Sequence, residues 1–320
     1  MTALTDEERL PVRVDTADID DLEAAVGTFR ALDYRLGGGY CRDALRVLKT
    51  SGRLLRRGLV PEHLRARLCT ALADTHNLLG WTEFDAGNAR VAQRRFERAL
   101  ELATEADNDD LVANVCYRLG RLHLHYHAVG AAMADFARGQ EAARRAGSAL
   151  AKAILSANEA WAFALCGNAD EALANLSRAA DEFADSRDMT PAPWAAFFGA
   201  NDLAAMAGTV LTELARTVDT QHGARAIPEL TKAIEGYGPE MARSRSLTLI
   251  WLAVCHALAG DLDAATGAGA EAIELARGLR SARTRDRLWP LDEAVRRHGP
   301  SPRGGELLEL IGRFRMQPAW

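Results

Sequence analysis

The chain reads as all-α, a solenoid of stacked helix pairs, on three observations. Residues 73–190 nearly repeat themselves every 40 residues. The segments LLGWTEFDAGNARVAQRRFERALELA, RLGRLHLHYHAVGAAMADFARGQEAA and NEAWAFALCGNADEALANLSRAADEF stack on one another with a fixed pattern of small and large residues. Alanine and leucine are abundant, aromatics make up only 6% of the chain and β-branched runs are missing, which is helix chemistry. With 48% hydrophobic and 26% charged residues the chain has enough apolar side chains to pack rather than remain disordered.

The repeat also assigns each element. A small residue recurs at Gly80, Gly120 and Ala160, followed by Ala92, Ala132 and Ala172, then Phe96, Phe136 and Leu176, then Ala99, Gly139 and Ala179. This is a small–Ala–Phe–small skeleton, with small residues where two helices of a pair must touch closely. The phase continues through Leu214, Ala226, Leu230 and Ala233, and again through Ala253, Ala265, Gly269 and Ala272, at steps of 40, 40, 54 and 39 residues. The period exceeds the usual tetratricopeptide length and overlaps the HEAT range, but the skeleton favours a tetratricopeptide-like, right-handed superhelical solenoid.

Units are expected near 18–57, 60–106, 109–147, 149–185, 194–237 and 241–278, after an N-terminal tail over 1–17. The first unit is degenerate, with glycines 37–39 as its turn and Ala44 and Leu48 in its second helix. The long step contains DSRDMTPAPWAAFFGAND, whose prolines 191 and 193 break any helix and mark a connection. Asp170 and Asp261, just before alanine-rich runs, signal helix starts. Residues 281–320 read as capping helices, because a solenoid must cover its last apolar face.

Several function classes lose support. A formal net charge of −5 gives no electrostatic case for binding nucleic acid with the whole surface. No apolar run is long enough to span a bilayer, and the acidic, polar start MTALTDEERLPVRVD has no signal-peptide core. Five cysteines (Cys41, Cys69, Cys116, Cys166 and Cys255) are dispersed without a CxxC pair, which reads as reduced, core-filling thiols in the cytoplasm. No nucleophile elbow, phosphate loop or Ser/His/Asp order is present, so nothing asks for an enzyme, a cofactor or a metal. Asp109 and Asp110 sit where a helix begins, and the helix dipole explains them.

On the first helix of each pair one stripe should face the groove. Counting from the small residue, the second unit presents Asp74, Asn77, Trp81, Phe84 and Asp85, and the third Asn114, Tyr117, Arg121, Leu124 and His125. The fourth presents Ile154, Ala157, Trp161, Ala164 and Leu165. Amides suit an extended peptide backbone, Arg121 suits a carboxylate or phosphate, and Trp81, Tyr117 and Trp161 offer flat apolar area. The alternative reading has Asn77 and Asn114 bracing neighbouring helices and Arg121 paired with Asp74 or Asp85.

Two further clusters carry a choice. His123 and His127 share a helical face at zinc-ligand spacing, but no intervening Glu or third ligand accompanies them. A core histidine with two solvent-side ones is the reading, His123 taking a slot that normally packs. From Arg277 to Arg297 seven arginines face three acids, and Arg280, Arg283 and Arg287 fall on one side of a helix. That side is either an anion or partner face or a solvated face tied to Asp286, Asp292 and Glu293, the latter favoured.

Taken together, FRALDYRLGGG, GWTEFDAGNARVAQRRFERALELA, PAPWAAFFGANDLAAMAG, MARSRSLTLIWLAVCHALAGDLDAA and LRSARTRDRLWPL resemble the C-terminal tetratricopeptide region of actinobacterial XRE-type transcriptional regulators. The resemblance covers roughly residues 12–300. It implies an effector-sensing and dimerising module that controls development or specialised metabolism. In such regulators a helix-turn-helix domain precedes the stretch matching DIDDLEAAV, which begins at Asp18, so direct DNA binding by this chain alone is not expected. The expected function is that of a non-catalytic regulatory protein taking a peptide or protein segment in its groove, with a homodimer among the partner readings. The alternative is an enzyme or small-molecule-binding accessory of a specialised-metabolite pathway using the same groove.

Overall fold

The computed structural model describes residues 13–38 and 58–316. The tail before residue 13, Gly39, Cys41, Ala44 and Leu48 of the first unit, and residues 317–320 lie outside them. Among the described residues every named element is a helix, and the only bridge is an isolated one between Arg13 and Leu59.

The first helix, α1 (Thr16–Leu36), is started by Asp15, whose carboxylate accepts the Asp18 N–H while the Asp18 carboxylate accepts the Asp15 N–H. Five helix pairs follow: α2 (Glu62–Asp85) with α3 (Ala89–Glu105), α4 (Asp109–His125) with α5 (Val129–Arg145), and α6 (Ala149–Leu165) with α7 (Ala169–Asp185). Next come α8 (Ala200–Thr217) with α9 (His222–Gly236) and α10 (Ala242–Leu258) with α11 (Leu262–Arg277). The chain ends in α12 (Ala282–Asp286), α13 (Trp289–Arg296) and α14 (Pro302–Arg315).

Within each pair the small residues allow close approach. A Cβ added at Gly80 would sit 2.6 Å from Phe96 Cδ1, and one at Gly120 would collide with the Phe136 ring. Both phenylalanines are fully buried. The turns inside the first three pairs hold a left-handed residue in one slot, Gly87 (φ 84°), His127 (φ 57°) and Gly167 (φ 72°). Only the histidine is costly there. Caps explain further boundaries: Asn108, Asn168 and Asp261 accept backbone N–H groups of the following turns. Asn168, not Asp170, therefore starts α7; Asp170 lies inside its first turn, where its charge favours the helix dipole.

Each second helix packs on the first helix of the next pair, and α2, α4, α6, α8 and α10 also touch in succession as an inner layer. That layer curls far enough for α1 to meet α10. One continuous apolar core runs from Val14 to Phe314. At the C-terminal end, α13 packs on α10 and α14 on α11, where Leu307 and Ile311 are fully buried. The segment 281–287 does not act as an outer cap: Arg283 reaches back to α2. Of the described cysteines Cys69, Cys116 and Cys255 are buried, whereas Cys166 is exposed and fills no core.

Candidate functional site

The curl of the inner layer encloses a pocket with about 970 Å³ of empty space, its open mouth included. Its walls come from α2, α4, α6, α8 and α10, from the connection before α8, and from the 281–287 segment.

The connection carries its own anchors. Trp194 donates its indole N–H to Asp110 at 2.7 Å, and its carbonyl accepts from the Asn114 amide at 3.3 Å. This holds Phe197 against Tyr117, ring centroids 5.8 Å apart and 18° from parallel. Asp110 thus has a specific partner besides the helix dipole, and Asp109 binds Arg145 at 2.6 Å.

Five arginines line the pocket: Arg118, Arg121, Arg243, Arg283 and Arg287. Arg118 and Arg283 lie over the Trp81 ring at 5.1 and 4.4 Å, and Arg121 and Arg287 over the Trp161 ring at 4.7 and 4.4 Å. Guanidinium stacking on an indole is worth about 0.5–2 kcal/mol, more when desolvated. It positions the cations without neutralising them.

Only two of the five meet a carboxylate. Asp85, fully buried, accepts from Arg283 Nε at 2.8 Å, Ser281 Oγ at 2.8 Å, Gly38 N at 2.8 Å and Arg243 at 3.1 Å. Arg243 also binds Asp33 of α1 at 2.9 Å. Burial would raise the Asp85 carboxyl, but Arg243 and Arg283, with the Gly38 and Ser281 hydrogen bonds, hold it down to about 2. The other three guanidiniums touch no carboxylate among the described residues. Arg118 donates to the Asn77 carbonyl at 2.9 Å, and Arg121 to the Asn158 amide oxygen at 3.1 Å. The Arg287 guanidinium makes no hydrogen bond to any described residue. Burial first, then Arg121 and Arg283, pushes Arg287 below the usual guanidinium value. At neutral pH it keeps its charge.

Among the described residues, the buried indole N–H of Trp161 and the Nε of Arg118 lack hydrogen-bond partners. The lining also holds Asp202, which accepts from Tyr237 OH at 3.0 Å and from Gly199 N at 3.1 Å. Burial lifts its carboxyl to about 6.

The residues expected on the groove stripe divide accordingly. Trp81, Tyr117, Arg121 and Trp161 line the pocket. Asn77 and Asn114 do not present free amides: they are buried and bond each other at 2.9 Å, the bracing arrangement. Asp74 is taken by Arg30, at 2.6 and 2.7 Å. Phe84 is buried beneath Arg283 and His125, and Asp85 serves the ion network rather than the groove. His125 faces the 281–287 segment, bonding Asp286 at 3.0 Å, while His123 bonds Asp135 at 2.7 Å and is not a core side chain.

Arg283 and Arg287 overturn the solvated-face reading, since both turn inward onto tryptophans. Arg280 does not line the pocket; its backbone N–H reaches the Leu36 carbonyl at 3.4 Å.

Sequence reasoning missed Arg118, Arg243, Trp251, Asp202, Phe197 and Phe198 as pocket residues. The one available signal was the aromatic PAPWAAFFGAND stretch, too rich in large apolar side chains for a mere linker. No described helix is long and apolar enough to cross a membrane. Compared with protein-family models and with curated proteins, the chain matches none.

Proposed function

We propose that this chain is a non-catalytic regulatory sensor whose pocket binds a compact, anionic effector. One observation carries the reading: three pocket arginines, Arg118, Arg121 and Arg287, stand over or between aromatic rings with no carboxylate of the described residues in hydrogen-bond contact. Desolvated like charges are unfavourable, and an anion entering among them is favoured by the same field. Catalysis would need a nucleophile or a general base aimed at the same space. The one carboxylate on its wall, Asp202, is already bonded to Tyr237 and Gly199.

The sequence supports a tetratricopeptide-like, right-handed solenoid working in the cytoplasm in transcriptional control, as in the XRE-type regulators it resembles. The pocket favours a compact effector over an extended peptide, because Asn77 and Asn114, the amides suited to a peptide backbone, are buried and bonded to each other. Binding would favour the state in which the 281–287 segment is seated, and so change a contact with a partner or a second copy.

Native mass spectrometry of the chain purified from its own host tests the reading. A bound anion that disappears in the Arg121→Gln/Arg287→Gln variant is expected. An unliganded spectrum for both, together with no thermal stabilisation by small anions, would overturn it.

A further inference from the structure

Given the anionic effector proposed for it, on which this inference rests, the pocket is more specific than a general anion site. Arg121 and Arg287 lie over the same Trp161 ring at 4.7 and 4.4 Å, and Arg283 lies over Trp81 on the same pocket lining; Arg283 disfavours the charge on Arg121, and both disfavour that on Arg287. Their aromatic supports fix where the guanidinium planes sit. Arg283 spends Nε on Asp85, Arg121 one terminal nitrogen on Asn158, and Arg287 nothing. Many N–H donors therefore remain, alongside the unpartnered indole N–H of Trp161, a side chain only 1% exposed.

A single carboxylate brings one charge and two oxygens. It would leave at least one of the three cations desolvated and unmatched. A phosphoryl group brings a charge near −2 at neutral pH and three strong acceptor oxygens, which suits three guanidiniums on one pocket lining. Guanidinium also suits phosphate by shape, through paired N–H donors. Beside Arg118, Arg243 and Asp202, the rest of the pocket lining offers flat aromatic faces. Trp251 and the parallel Tyr117–Phe197 pair form walls suited to the face of a planar ring.

We propose that the effector is a nucleoside phosphate, its phosphoryl group held by Arg121, Arg283 and Arg287 and its base lying against Trp251 and the Tyr117–Phe197 wall.

Isothermal titration of the full chain with AMP, ADP, adenosine and 2-naphthoate at fixed ionic strength tests this. AMP and ADP should bind at least about tenfold more tightly than adenosine and than naphthoate. Arg287→Gln should weaken AMP by about tenfold or more, the usual effect of losing a charged hydrogen bond. Its melting temperature without ligand should hold or rise, because a desolvated like charge has gone. Trp251→Leu should weaken AMP and leave inorganic pyrophosphate unchanged, which a purely electrostatic site would not do.

Naphthoate matching AMP with the same dependence on Arg287 would overturn the nucleotide assignment while leaving the anionic effector intact, whereas AMP binding no tighter than adenosine would overturn both. Failure of all four compounds and of pyrophosphate to bind at millimolar concentration would overturn both.

Discussion

Replacing Asp85 tests the ion network that seats the 281–287 segment. The carboxylate is fully buried and serves four donors from three parts of the chain: Gly38, Arg243 of α10, and Ser281 and Arg283 of the closing segment. In Asp85→Ala, Arg243 keeps Asp33, but Arg283 loses the one carboxylate it bonds among the described residues and stays desolvated. Removing one partner of a buried pair costs about 3–5 kcal/mol, mostly from the charge left behind. Arg283→Met removes that stranded charge while keeping apolar contact with Trp81, so the double variant should recover part of the loss. A coupling energy of about 1–3 kcal/mol is expected.

Acid gives an independent check. The folded Asp85 carboxyl is held below its ordinary value, so its contribution is present above about pH 4 and lost as pH falls toward about 2. Each tenfold change in proton affinity is worth about 1.4 kcal/mol, which makes the acid-labile part on the order of 2 kcal/mol. Urea denaturation followed by circular dichroism at pH 7 and pH 3 reads both quantities. Asp85→Ala within 1 kcal/mol of wild type at pH 7, or with the same acid sensitivity, would refute the reasoning.

Other consequences are open to simple measurement. Gly80→Leu should destabilise by about 1–3 kcal/mol or more, because even its Cβ meets the Phe96 ring at 2.6 Å; an unchanged melting temperature would show that this contact yields freely. The Asp202 carboxyl should titrate near 6 by carbon-13 NMR, adding stability below about pH 4 and losing it as pH rises through 6; a midpoint near 3.8 contradicts its burial. The chain alone should not bind DNA sequence-specifically, since its net charge is −5 and Arg283 and Arg287 are turned into the pocket; a mobility shift saturating below micromolar protein at physiological salt would contradict this.

Helical character and the consecutive pairing of helices were legible because they rest on local chemistry. A glycine and a phenylalanine sixteen residues apart, Gly80 with Phe96 and Gly120 with Phe136, record a contact made within one pair. The pocket was only half legible. Trp81, Tyr117, Arg121 and Trp161 share a stripe that periodicity exposes, but periodicity cannot say which polar members of that stripe find each other. Asn77 and Asn114 lie 37 residues apart and close to 2.9 Å only because adjacent inner helices align them. The arginines near residue 285 were harder still. Charge spacing makes them look solvated, and what draws Arg283 and Arg287 inward is a pair of indole faces some 120 or more residues earlier in the chain. The prolines at 191 and 193 announce a break, yet only the Trp194–Asp110 bond shows that the broken stretch becomes a wall.

The meeting of α1 with α10 changes how such an array should come apart. When units touch only their neighbours, stability is a sum along a line and the ends fray first. In this chain Asp33 of α1 binds Arg243 of α10 at 2.9 Å, so the N-terminal helix is fastened to a partner 210 positions away. Peeling α1 off exposes a buried arginine at the far end, and loosening α10 strands a buried aspartate at the near one. Amide exchange should report this as matched protection in the two helices, with α14, which has no such clasp, opening on its own.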